Sequence, residues 1–133
     1  MAPRREDYQR AADLRAALRQ FLRVSEQTAR RHKLTPQRHL LLLMIKGSPD
    51  ERSTVTALAN RLQLAQSTVT ELVRRAEGAG LIRREPSPRD GRVAYLRLTH
   101  EAEKRLGATV TDLGPEHRRL AAVIGDTKSA KTR

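Results

Sequence analysis

The 133-residue chain contains no cysteine. Disulfides, thiolate nucleophiles and cysteine-ligated zinc clusters are therefore excluded, and sulfur redox chemistry is left only to Met1 and Met44. Long apolar runs are also missing: the longest is the six residues Leu40 to Ile45, and the opening MAPRREDYQRAADLR has no apolar core. Neither a membrane span nor a signal peptide fits those lengths, so the expectation is a cytoplasmic protein that does not engage a membrane. Negative charge is the third shortage. Asp and Glu number 15 against 27 Lys and Arg, for a formal charge of +12 and a pI near 11.4. Such an excess points to a polyanionic partner, with nucleic acid ahead of lipid.

Enzyme chemistry finds little to stand on. His32, His39, His100 and His117 have no metal-ligand spacing with one another, and the chain has neither a glycine-rich phosphate loop nor a serine nucleophile elbow. No metal, cofactor or catalytic residue is expected.

What is present is enough apolar residue, 38%, for one domain with a modest core. From about Arg5 to His32 there is no Gly or Pro, and Leu14, Leu18, Phe21 and Leu22 recur at helical spacing. In LTPQRHLLLLMIKG, Thr35 is the N-cap of a second helix, Pro36 its first residue and Gly47 its stop. The apolar run there is wider than one stripe, which predicts burial on more than one side. Thr54 caps a third helix with Val55, Leu58, Ala59 and Leu62 inward, and QSTVTELVRRAEGAG forms a fourth with Val69, Leu72, Val73 and Ala76 inward, ending near Gly78 or Gly80. Two short helices joined by a few residues signal a helix-turn-helix.

A strand at GLIRRE and another at VAYLRLT follow, the second with Ala94, Leu96 and Leu98 on one side and Tyr95 and Arg97 on the other. Between them lies PSPRDGR, a basic loop in which Gly91 permits positive φ. Helical spacing returns in Ala102, Leu106, Val110 and Leu113, is broken at Gly114 and Pro115, and resumes to Ile124. The polar segment 125–133 is read as a disordered tail.

Helix, turn, helix, strand, basic loop, strand is the order of a winged helix-turn-helix. Residues 52–99 carry nine Arg against four acidic residues, a net of +5. In such a motif the second helix enters the major groove with its N-terminal residues at the base edges. Gln66, Ser67, Thr68 and Thr70 occupy that position, and Gln can bond adenine bidentately while Ser and Thr serve bases or phosphates. Arg74 and Arg75 are assigned to phosphates, with guanine contact by Arg74 as a sharper alternative. Thr54 and Arg84 are further backbone-contact candidates. On the wing, Arg89 and Arg92 suit a narrow minor groove, and Asp90 braces the loop by an Asx-type bond or an ion pair to Arg92. His39, in the apolar second helix, either lines an effector pocket or is a satisfied structural residue.

The segment DGRVAYLRLT, with QSTVTELVRRAEGAGLIRRE before it, resembles the MarR family of transcription regulators over about residues 34–99. That resemblance implies a mainly α-helical winged helix-turn-helix built as one domain over 1–133, with dimerisation helices at 5–32 and 100–124. It further implies a homodimer made by terminal helices, here through Leu14, Leu18, Phe21 and Leu22 and through Leu106, Val110 and Leu113. The partner it implies is a pseudopalindromic double-stranded DNA, with a small aromatic or phenolic effector that weakens binding. The reading is a ligand-responsive repressor, and its rivals are a non-specific architectural DNA-binding protein and a winged-helix protein-interaction adaptor. Three departures from the family stand out. Gln63 occupies a turn position where Gly is usual, Ala65 sits where Ser or Asp commonly caps, and the chain stops soon after Ile124, so a short or missing last helix is expected.

Overall fold

A computed structural model describes the backbone of residues 1–131 and the side chains of residues 1–125. The first helix, α1 (Arg5–Arg31), is rich in Ala, Leu and Arg, good helix formers, and ends where Lys33 takes a left-handed φ of 62°. The amides of Lys33 and Leu34 then bond back to Arg30 O and Ala29 O, which closes the helix and drops Leu34 into the core.

Helix α2 (Pro36–Lys46) starts as the sequence predicts, with the Thr35 hydroxyl accepting from the Arg38 amide and Pro36 in the first turn. It is the central element. His39, Leu41, Leu42 and Ile45 are buried on it, and it packs against α1, α3 (Val55–Leu62), α4 (Gln66–Gly78), β2 (Ala94–Leu98) and α5 (His100–Asp112). Leu58 of α3, Val69 and Val73 of α4 and Leu96 of β2 complete the core around it. Of the α3 and α4 residues expected inward, Val55, Leu62 and Leu72 are only partly buried.

Strand β1 (Ile82–Pro86) pairs antiparallel with β2, in the register Ile82 to Leu98 and Pro86 to Ala94. Leu96 and Leu98 point into the core, as the alternation requires. Ser53, just before α3, adds a bridge on the outer edge of β2, exchanging two backbone hydrogen bonds with Leu96 at 2.7 and 3.2 Å. At the far end of β2 the Thr99 hydroxyl donates to Gly80 O at 2.7 Å and accepts from the Ala102 amide at 3.2 Å. One side chain thus ties the end of α4, the end of the hairpin and the start of α5.

Several expectations need correction. Leu106 and Leu113 are buried inside the protomer, at 3% and 0% exposure, so they cannot offer surface to a partner chain. Val110 also packs against that core. Period alone shows that this face is apolar, but α5 packs against the chain's own α1, α2, α6 and β2. A last helix is present: α6 (Gly114–Lys131) follows the Leu113 cap and packs along α1 and α5. It continues through 125–131, where a tail was expected, because a glycine costs a helix only about 1 kcal/mol and no proline follows. The last two residues of that expected tail, 132 and 133, lie outside the described residues. Gly91 does not adopt positive φ; among the glycines only Gly80 does, at 74°, in the C-terminal cap of α4.

Candidate nucleic-acid interface

The connection between α3 and α4 is built under local strain. Gln63 takes φ 57°, a left-handed conformation that costs a residue with a Cβ about 1 kcal/mol, and its side-chain amide donates to Asn60 O at 2.7 Å. Ala65 then opens α4 without any side-chain cap, so the first amides of the helix have no side-chain partner. Val69, Val73 and Ala76 are fully buried and fix which way the helix turns. The opposite face presents Gln66, Ser67, Thr68, Thr70, Arg74 and Arg75, all exposed. Gln66 Nε2 donates to Thr56 Oγ1 of α3 at 3.3 Å, and its Oε1 has no hydrogen-bond partner among the described residues.

The arginines divide into two sets. Glu71 accepts from both Arg74 and Arg75, at 2.6 to 3.0 Å, and those bonds hold its carboxyl down at about 2. Arg84 reaches from β1 to Glu77 of α4 through bonds of 2.9 to 3.2 Å, and the Glu77 carboxylate raises its pKa. Glu85 is held ionised by Arg97, with Arg52 also in contact, and Arg52 lies 4.0 Å over the Tyr95 ring. Arg97 also donates to Asp50 O at 3.0 Å. The base of the hairpin is therefore braced against α4 and the start of α3. Sequence reasoning missed these glutamates, whose only signal was opposite charge at helical or cross-strand spacing.

Arg89 and Arg92 belong to the second set. Both are exposed at the tip, and among the described residues neither guanidinium has an ion-pair partner. The tip itself is ordered by short polar side chains. Ser87 Oγ accepts from the amides of Arg89 and Asp90 at 3.3 Å, Asp90 Oδ1 accepts from the Arg92 amide at 3.0 Å, and Val93 N bonds Asp90 O at 3.0 Å. This is the Asx-type bond of the two alternatives open to Asp90. Gly91 sits inside that turn with open space where a Cβ would lie.

Thr54 caps α3 by accepting from the Ala57 amide at 3.2 Å, so its hydroxyl hydrogen stays available. Away from this face, His39 is 6% exposed, its Nε2 has no hydrogen-bond partner among the described residues, and burial first, then the charge of His117, lowers its pKa. It lines a cleft of about 460 Å³ with Phe21, Leu22, Ser25, Arg30 and His117. The Phe21 and His117 rings lie 5.6 Å apart. Leu18 and Leu22 stay 44% and 49% exposed, whereas Leu14 and Phe21 are half-buried. Among the described residues, no cluster of three or more His, Asp or Glu could hold a metal, and no helix is long and apolar enough to cross a membrane.

Comparison with known proteins places this geometry. The family model described as MarR family matches residues 32–93. A search of curated proteins finds no match. Among solved structures, AbsC, a MarR family transcriptional regulator from Streptomyces coelicolor, is similar at a TM-score of 0.78 and 18% identity, covering 99% of this chain and 91% of its own. Sco3205 from the same organism, solved in complex with DNA, has a TM-score of 0.74 at 20% identity, over 99% of this chain and 89% of its own. A mutant MarR from E. coli complexed with operator DNA reaches 0.72 at 16% identity, over 92% and 90%. The helix-turn-helix and wing thus match the MarR family model over residues 32–93, and nearly the whole chain shares the winged helix-turn-helix fold of solved MarR family regulators.

Proposed function

We propose that the protein is a sequence-specific repressor that binds a pseudopalindromic double-stranded DNA as a homodimer. One observation carries the reading: the uncapped, polar start of α4 and the unpaired arginines of an ordered wing belong to one braced unit. Gln66, Ser67, Thr68 and Thr70 would meet base edges in the major groove, a role that non-specific phosphate binding does not need. Arg89 and Arg92 would enter the flanking minor groove, where narrowing deepens the negative potential. Arg75, Arg84 and the Thr54 hydroxyl suit phosphates. The net charge of +12 supplies attraction and a fast encounter.

Dimerisation rests on Leu18 and Leu22, which leave apolar surface of α1 uncovered. The cleft beside His39 has the size and mixed polarity to take a small aromatic or phenolic effector that weakens DNA binding. Cytoplasmic location follows from that work. Solved complexes of Sco3205 and E. coli MarR with DNA support the reading by fold.

Selection of bound duplexes from a random pool tests it. Inverted repeats with half-sites roughly 10 bp apart, or a small multiple of that, are the expected outcome. An asymmetric site, or no consensus at all, overturns the proposal.

A further inference from the structure

Glu71 stands at the middle of the exposed face of α4. With about 100° between successive residues, it lies roughly opposite the buried stripe of Val69, Val73 and Ala76, with Ser67 and Arg74 on one side and Arg75 on the other. An acidic side chain there faces the polyanion that the helix is proposed to enter. Its contacts resolve the conflict. Arg74 donates from Nε to Oε2 at 2.9 Å and from Nη2 to Oε1 at 2.6 Å, and Arg75 donates from Nε to Oε1 at 3.0 Å.

All three side chains are exposed, at 44% for Glu71, 70% for Arg74 and 65% for Arg75, so the cluster adds little to stability. Orientation is what it does supply. The bidentate bond occupies the Nε–Nη2 edge of Arg74 and leaves the Nη1–Nη2 end pointing onward, with Nη1 bonded to no group among the described residues. That end is a two-donor fork that matches O6 and N7 of guanine. A phosphate at that end, unlike a neutral base, would also be repelled by the negative charge of Glu71.

We propose that Glu71 is a positioning residue: it presents the free end of Arg74 to one guanine in each half-site and restrains Arg74 from phosphates. Selectivity of the recognition helix rises and non-specific affinity falls. This rests on the DNA-binding reading above.

The test compares the parent with Glu71→Ala, Glu71→Gln and Arg74→Ala on three duplex types across a salt series. These are the operator selected by the parent, that operator with each guanine replaced in turn, and an unrelated duplex. Glu71→Ala is expected to lose about 5- to 150-fold of preference at one guanine per half-site, the same guanine whose preference Arg74→Ala abolishes. It should also bind the unrelated duplex more tightly than the parent, with a steeper salt slope, because a freed arginine releases a further counterion. Added to Arg74→Ala, it should change nothing more at that guanine. Glu71→Gln, which can still accept an N–H but has no charge, should fall between and serves if the alanine variant fails to fold. A residue that merely steadied the helix would shift the melting temperature and leave base preference intact. Unchanged guanine preference in a folded Glu71→Gln or Glu71→Ala overturns the proposal. So does loss of preference at a cytosine, which would make Glu71 itself the base reader. If the parent selects no operator, the DNA-binding reading fails first and takes this inference with it, a distinct result.

Discussion

Replacing Leu18 with Glu separates the two roles that apolar stripes play here. Leu18 and Leu22 are 44% and 49% exposed in the single chain. Fully burying a leucine contributes about 1.5–3 kcal/mol, so covering the exposed half of each contributes roughly 0.7–1.5 kcal/mol. A two-fold contact uses four such leucines, which supply about 3–6 kcal/mol of the roughly 8 kcal/mol that a dimer stable at micromolar concentration needs, the remainder falling to the rest of the interface. Leu18→Glu removes two of the four, which alone weakens the dimer by about 10- to 150-fold, and it adds two carboxylates near the axis. Sedimentation equilibrium at micromolar concentration should show the parent as a dimer and the variant shifted to monomer. Leu113→Ala is the counterpart. Because Leu113 is fully buried in its own protomer, the change should lower unfolding stability by about 2–5 kcal/mol and leave the dimer dissociation constant unchanged. A monomeric parent, or a Leu18→Glu protein that dimerises as tightly as the parent, refutes the reasoning.

Other outcomes follow from the wing and from His39. Arg92→Ala should weaken binding to every duplex and lower the salt slope by roughly one unit, as measured by fluorescence anisotropy, with any lost sequence preference confined to A·T-rich flanks. Asp90→Ala should act as a milder Arg92→Ala, since it removes the acceptor of the Arg92 amide, although deleting a negative charge would by itself tighten binding; tighter binding than the parent contradicts the bracing role. His39 has its pKa lowered in the fold, so the unfolded chain binds the extra proton first: its contribution is present above the unfolded value near 6.5 and is lost as pH falls below that. Urea midpoints between pH 7.5 and 5.5 should therefore drop more for the parent than for His39→Leu, and equal drops contradict it.

Much of the architecture is legible in the sequence because it is signalled locally. Thr35 with Pro36 and Thr54 announce their helices through cap chemistry that depends on a few adjacent residues, and both caps form. The alternation of Leu96 and Leu98 against Tyr95 and Arg97 identifies β2 for the same reason. Gln63 in a left-handed turn and Ala65 as an absent cap were readable as departures from family usage, and both geometries are present. What periodicity does not convey is the identity of the covering surface, which is why the Leu106 and Leu113 face was assigned to a partner rather than to the protomer's own core. Long-range pairings were equally hidden. The Ser53 bridge to Leu96 spans 42 intervening positions, and the partners of Arg84 and Arg97 emerge only once β1 lies beside α4 and β2. Positive φ was expected at Gly91 on residue type alone, but the Asp90 turn closes without it.

The central claim is that α4 and the wing together tell one DNA sequence from another. Its most direct test is the ratio of dissociation constants for the selected operator and for a scrambled duplex of equal length and composition, measured at one near-physiological salt concentration. A ratio of about a thousandfold or more is predicted. A ratio near one, with both duplexes bound and released in parallel as salt rises, contradicts the account and leaves a basic protein that reads only the phosphate backbone.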